Sequence, residues 1–316
     1  MKLQNFEIKS QKIKEEFLKL KNEAPARFKK RLNLSWSNWI FGLESIENTA
    51  IRLQRNKIEF IELNGNRQGN DIGYKASETK KILSEHGIKT AGICGIFSPD
   101  NDFSSNRGVI TQNAIDYVKR NTELGRELGA DYFLLVPSAV GRSQKIDDRE
   151  FERAVIALRR VADIFTDTNI KGAIEPIRSS EVSLCHTVQD ALDIIKAIDH
   201  PGIQHINGDI YHMHTEEAHI GEAILKCSNR LLNLHIADSN RRALGEGSID
   251  IDTVIMALYI LGYNRNGCYV TPEPLGPGGD SYVALFGLQE KEVLDELVRQ
   301  TASYFREREE VLVSSI

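Results

Sequence analysis

From about Leu32 onward, short apolar runs rich in β-branched residues recur every 26 to 42 residues, each followed by a longer stretch with helical periodicity. Eight runs are legible: Leu32–Trp36, Ile58–Leu63, Lys89–Ile96, Asp131–Val136, Lys171–Glu175, Ile203–Asp209, Leu231–Ile236 and Gly267–Glu273. Such alternation predicts an α/β fold with a parallel sheet covered by helices. Eight units favour a closed (β/α)8 TIM barrel over an open sheet. The stretch after the fourth run shows the helical period, with Phe151, Val155, Leu158, Ala162 and Phe165 on one face and Arg153, Arg159 and Arg160 turned outward. Gly87, Gly129 and Gly262 stand at helix-to-strand joints, where positive φ closes a helix. Thr187 and Asp190 have the spacing of a capping box opening the helix after the fifth run. Residues 1–30 carry dense lysine and glutamate around Ile13, Phe17 and Leu20. They predict an N-terminal helical extension, packed on the underside of the barrel or serving as a subunit-binding arm, ahead of a catalytic barrel over residues 31–316.

Composition narrows the function classes. A length of 316 residues suits one barrel. Forty basic against forty-five acidic residues give a formal charge of -5, which disfavours nucleic acid as partner. Apolar runs such as Val254–Leu261 are too short to cross a membrane. Glu15 and Glu16 set the start apart from a signal peptide, so a cytoplasmic protein is expected. Cys94, Cys185, Cys227 and Cys268 lack paired spacing and read as reduced thiols, Cys94 near the barrel mouth.

The chemistry lies at the ends of the runs. In a barrel of this kind the C-terminal ends of the strands build the active site. The fifth run ends in Glu175 before Pro176, the sixth in Asp209, the seventh is followed into a loop from His235, and the eighth ends in Glu273 before Pro274. One such carboxylate is explained by a salt bridge or a helix cap; three with an imidazole, in consecutive runs, converge on one mouth and call for a cation. An O3N set without thiolate suits one divalent ion, Mn2+ first, with Mg2+ or Co2+ as alternatives. His212, three beyond Asp209, and Arg241, six beyond His235, are placed to hold substrate oxygens. A metal bound to a carbonyl and an adjacent hydroxyl acidifies the neighbouring C–H, and two glutamates could take and return the proton. Epimerisation, isomerisation and elimination all remain open to the resulting enediolate.

Five motifs carry a resemblance: Ile174-Glu175-Pro176, Gly208-Asp209-Ile210-Tyr211-His212-Met213, Leu234-His235 through Arg241, Gly245-Glu246-Gly247-Ser248-Ile249-Asp250 and Pro272-Glu273-Pro274. Over roughly Leu32 to Phe305 the chain resembles the sugar phosphate isomerase/epimerase superfamily of xylose isomerase-like barrels. The resemblance implies that Glu175 and Glu273 bind the metal and move the proton, that Asp209 and His235 are ligands, and that Glu181, His212 and Arg241 hold the sugar. Further segments, Leu34–Asn38, Ile61–Asn66, Asp100–Arg107 and Thr271–Gly279, look closest to the α subunits of C-glycoside deglycosidases. That branch implies cleavage of the C–C bond of a 3-oxo-C-glycoside, with His212 or a glutamate as base, Trp36, Trp39 and Phe97 flanking an aromatic aglycone, and a small β subunit in a hetero-oligomer. Asn64 stands where this branch is expected to carry histidine. The alternative is a ketose 3-epimerase or sugar isomerase acting on a free ketose, unphosphorylated because no Arg/Lys cluster marks a phosphate pocket. Apurinic endonucleases of the superfamily need extra histidines that Gly92-Ile93-Cys94-Gly95 and Gly247-Ser248-Ile249-Asp250 lack, and a non-catalytic scaffold gains nothing from four converging ligands.

Overall fold

The runs from Ile58 onward become seven parallel strands, hydrogen-bonded in chain order: β1 (Phe60–Asn64), β2 (Lys89–Cys94), β3 (Tyr132–Leu135), β4 (Lys171–Ile174), β5 (Ile203–Asp209), β6 (Leu231–Ile236) and β7 (Tyr269–Pro272). The structure, a computed structural model, describes residues 5–65, 73–275 and 290–314. Its helices are α1 (Asn5–Glu23), α2 (Ile46–Arg55), α3 (Ala76–Glu85), α4 (Gly108–Leu128), α5 (Glu150–Thr168), α6 (Val188–Ile198), α7 (Ile210–Glu216), α8 (Ile220–Cys227), α9 (Ile251–Ile260) and α10 (Lys291–Ser314).

The first run departs from expectation. It makes no continuous strand but two bridges, Leu34 to Val270 and Ser37 to Glu62, which close the gap between β7 and β1. Ser35 N donates to Val270 O at 2.8 Å and Glu62 N to Trp36 O at 2.8 Å. A 3-10 turn at Asn38–Phe41 cuts the segment short. The eight-position ring of a TIM barrel is thereby complete, one position being a bridge rather than a ladder.

The helix signals fold as read. Gly87, Gly129 and Gly262 take φ of 70°, 74° and 64°, and Thr187 and Asp190 form the reciprocal capping box of α6. On α5, Val155, Leu158, Ala162 and Phe165 are buried, but Phe151, in the first turn, is 43% exposed.

The helix of the N-terminal segment packs on the flank of the helix layer, and residues 27–30 continue to the N-terminal mouth of the barrel. Helix α1 lies along α8 and α9, with Ile13 and Phe17 buried. Phe17 meets Phe28 edge-on at 5.3 Å, and Phe28 stacks on Tyr259 of α9 at 5.1 Å. Phe17→Ala is expected to lower unfolding free energy by about 3 kcal/mol, the usual cost of an aromatic-to-alanine cavity. Urea denaturation checks this; a change below about 1 kcal/mol means that α1 is peripheral to the fold.

Candidate active site

Side chains alternate along a strand, so the residues of β4 to β7 that face the axis end in a polar group at the same mouth: Glu175 one past β4, Asp209 closing β5, His235 in β6 and Glu273 one past β7. Ladder bonds fix even those beyond the strand ends, Glu175 N donating to Leu135 O at 3.0 Å and Glu273 N to Ile236 O at 2.9 Å. Asp209 and His235 are direct cross-strand partners. All four side chains are buried. His235 Nδ1 lies 3.3 Å from Glu175 Oε1 and 3.1 Å from Glu273 Oε1. Ligand atoms of Glu175, Asp209 and His235 lie within 4.8 Å of one another.

Such crowding of acids is costly without a cation. Burial, and then Glu273, push Asp209 up to about 7, and burial raises Glu175 as well. Burial alone would lower His235, but Glu273 and Glu62 outweigh it and hold the imidazole well above its usual range. Protons thus stand where a divalent ion would stand. Buried carboxylates of Glu175 and Asp209 with the His235 imidazole, and Glu273 3.1 Å from the same Nδ1, are a donor set that fits such an ion. Cys94 borders the group, but burial, followed by Glu62, keeps its thiol far from ionising.

Behind the histidine lies a fourth acid. Glu62, fully buried in β1, meets His235 Nε2 at 3.0 and 3.1 Å and accepts from Tyr132 Oη at 2.8 Å and Asn233 Nδ2 at 3.1 Å. Thr271 Oγ1 in turn donates to Asn233 Oδ1 at 2.6 Å. The imidazole is held by Nε2, and Nδ1 faces Glu175, Glu273 and, at 3.3 Å, Asn207 Nδ2. Glu62→Gln is expected to weaken divalent-ion affinity about 10- to 100-fold, the usual cost of losing such an outer partner. Competition with a metal-sensing dye measures it, and unchanged affinity removes Glu62 from the site.

Over this layer opens a cavity walled by Trp39, Ile96, Phe97, Val136, Val140 and Ile177, with His212, Glu181 and Arg241 as its polar rim. Trp39 Nε1 donates to Glu273 Oε1 at 2.6 Å, and Arg241 Nη2 approaches Oε2 at 3.3 Å. Arg241 is buried in the left-handed region at φ 59°, its guanidinium 4.7 Å over the Tyr211 ring and 3.8 Å from Glu181. Asp238 imposes that turn, accepting from Ser239 N, Gly245 N and Ile249 N at 2.8, 2.8 and 3.1 Å. A Cβ on Gly247 would stand 2.1 Å from Asp238 Oδ1. Gly247→Ala is therefore expected to displace Arg241 and raise KM several-fold with smaller loss of kcat; an unchanged KM counts against a sugar-holding Arg241. His212 Nε2 lies 3.3 Å from Asp209 Oδ2, and its buried Nδ1 has no hydrogen-bond partner among the described residues. Burial, then Arg241 and Arg178, keep this imidazole neutral, well below its ordinary pKa.

Residues 52–294 match the family described as xylose isomerase-like TIM barrel. The chain belongs to this family. The xylose isomerase-like barrel is 29% identical to a ketose 3-epimerase of Arthrobacter globiformis over 61% of its own length and 67% of the relative's. It is 24% identical to a 3-dehydro-D-guloside 4-epimerase of Escherichia coli, over 72% of this chain and 87% of that one. Matches to the ketose, ribulose and psicose 3-epimerases span 56% to 67% of those proteins' lengths, several of them under two thirds. A solved L-ribulose 3-epimerase shares the fold at a TM-score of 0.78, with 20% identity over 89% of this chain and 96% of that one.

Within the xylose isomerase-like barrel, Glu175, Asp209, His235, Glu273, His212, Glu181 and Arg241 come together. Trp36 does not join them. It is fully buried and stacked on Phe41 at 6.1 Å, because alternation along its extended run turns it away from the face of Ser35 and Ser37. Trp39, one turn on, takes the place in the wall. Glu62 stands inside its run and not at the end, and a lone acid between Ile61 and Leu63 is the signal the sequence offers for it. Of the segments pointing to the C-glycoside branch, Asn66 and residues 276–279 lie outside the described residues. Among the described residues no helix is long and apolar enough to cross a membrane.

Proposed function

We propose that this chain is a divalent-metal-dependent ketose 3-epimerase acting on a free, unphosphorylated ketose. The observation that carries the reading is the placement of two glutamates: Glu175 after β4 and Glu273 after β7, three positions apart on the ring, both reach the same His235 Nδ1. They flank one point from two sides of the mouth. Inversion of a carbon next to a carbonyl needs such a pair, one carboxylate taking the proton from one face while the other carboxyl returns one to the opposite face. A divalent ion held by Glu175, Asp209, His235 and Glu273, Mn2+ in our reading, would supply the Lewis acidity that makes the C3–H of a ketose removable.

The surrounding groups bind and orient. Trp39 and Arg241 pin both oxygens of Glu273, and neutral His212 offers its free Nδ1 to a sugar hydroxyl. Arg241 is the cationic side chain on the cavity wall among the described residues, and its guanidinium already faces Glu273 and Glu181. A phosphate would find no uncommitted cation there, which supports an unphosphorylated sugar. The named relatives favour epimerisation over C–C bond cleavage, and an epimerase has no need of a β subunit.

A second substrate class has its own support. The match to the 3-dehydro-D-guloside 4-epimerase spans 72% of this chain, and the apolar wall of Ile96, Phe97, Val136 and Val140 offers a surface for a substituent beyond the sugar ring. The deciding experiment incubates the Mn2+-loaded protein in D2O with D-fructose, D-tagatose and L-ribulose, and separately with a 3-keto-glucoside and a 3-oxo-C-glucoside. Epimer pairs deuterated at C3 are expected from the free ketoses. Inert ketoses with exchange at C4 of the keto-glucoside support the glycoside epimerase, and free aglycone restores the lyase.

A further inference from the structure

The opposite, N-terminal mouth of the barrel holds a second polar cavity, of about 400 Å3. The first residues of β1, β2, β4 and β7 line it, among them Lys89 and Lys171, together with Asp131, Asn266 and Tyr269. Here the charge is reversed. Arg265 and Arg230 stand close by, both acting on the partly buried His205 of β5. Lys30 reaches the rim, its Nζ 2.6 Å from Asn266 Oδ1.

None of Lys89, Lys171, Arg230 and Arg265 has a carboxylate within ion-pair distance among the described residues. Arg265 donates to the Leu261 and Gly262 carbonyls, and Arg230 to Gln204. Asp131 is the acid on the wall, and the Tyr269 hydroxyl already donates to it. In a chain whose formal charge is -5, a concave site lined by two lysines without an ion pair and one occupied acid, with two arginines beyond it, is an unbalanced arrangement. The buried Nδ1 of His205 is also without a hydrogen-bond partner among the described residues. Burial, and next Lys171, lower this imidazole to about 4, which registers the positive field from inside the barrel.

We infer that the N-terminal mouth is a binding site for a phosphate-class dianion, either inorganic phosphate or the phosphate group of a monoester. Lys89 and Lys171 would supply charge-assisted donors from two strands. Asn266, whose oxygen Lys30 occupies, would add its amide N–H. The site lies at the end of the barrel away from Glu175 and Glu273 and does not depend on the sugar reading given above.

Calorimetric titration of the metal-loaded protein with inorganic phosphate, and separately with glycerol 3-phosphate, tests the inference against chloride at equal ionic strength. Saturable one-to-one binding is expected. The double variant Lys89→Gln, Lys171→Gln should raise Kd at least about tenfold, as loss of charge-assisted bonds does. Asp131→Asn should move it the other way, lowering Kd roughly threefold or more by removing a like charge. Melting temperature in chloride monitors folding of each variant. Tighter binding of the monoester identifies a phosphorylated metabolite, and tighter binding of inorganic phosphate identifies the free ion. Binding no stronger than that of chloride, or equal affinity in the wild type and the double variant, overturns the site.

Discussion

Glu175→Gln and Glu273→Gln are each expected to reduce kcat for ketose epimerisation by about 10^4-fold or more, because each removes one of the two proton-carrying groups as well as a charged ligand. The two losses differ in kind. With one glutamate gone, the remaining carboxylate still faces its own side of the sugar, so each variant should exchange the C3 hydrogen of one epimer with D2O while leaving the other inert. The two variants should show opposite preferences. Mass spectrometry of recovered ketose reads the exchange, and metal analysis of the same samples separates lost ligation from lost proton transfer. Equal, residual exchange of both epimers in either variant rules out a two-glutamate relay.

The second large effect concerns the ion. Stripping divalent metal should abolish turnover, and restoring Mn2+ at about 100 times its Kd should raise the melting temperature by about 5 °C. The increment should depend on pH. In the metal-free protein Asp209 is pushed up to about 7 from its ordinary 3.8. A folded-state pKa above the unfolded one contributes stability that is complete below about 4 and lost as pH rises toward 7. His235, raised well above 6.5, contributes fully below 6.5 and loses its contribution at higher pH, in the same direction. The metal-free site therefore destabilises the fold as pH rises, while the ion, which displaces these protons, binds better. Calorimetric scans at pH 5 and pH 8 should show the larger Mn2+ increment at pH 8; the reverse order means that the protons sit elsewhere.

Legibility followed distance along the chain. Glu175, Asp209, His235 and Glu273 could be read because each ends a short apolar run, and parallel strands of one barrel send their ends to one mouth. Glu62 could not, since its partner His235 is 173 residues away and only the closure of the ring sets them face to face. Trp36 and Trp39 are alike in sequence; the bridge at Ser37 and the turn at Asn38–Phe41 send one behind the wall and the other into it. Lys89 and Lys171 read as the solvated starts of two strands, and nothing local shows that they border one cavity.

The sequence by itself determined the repeating strand-and-helix order, the helix stops and the identity of the acids at the mouth, because these depend on periodicity and on residues a few positions apart. The tertiary structure alone decided that one expected strand is a bridge, which nitrogen of His235 faces Glu175 and Glu273, and which tryptophan holds Glu273. Those outcomes depend on register and ring closure between segments far apart in the chain, and a one-residue slip would reverse every side chain they rest on.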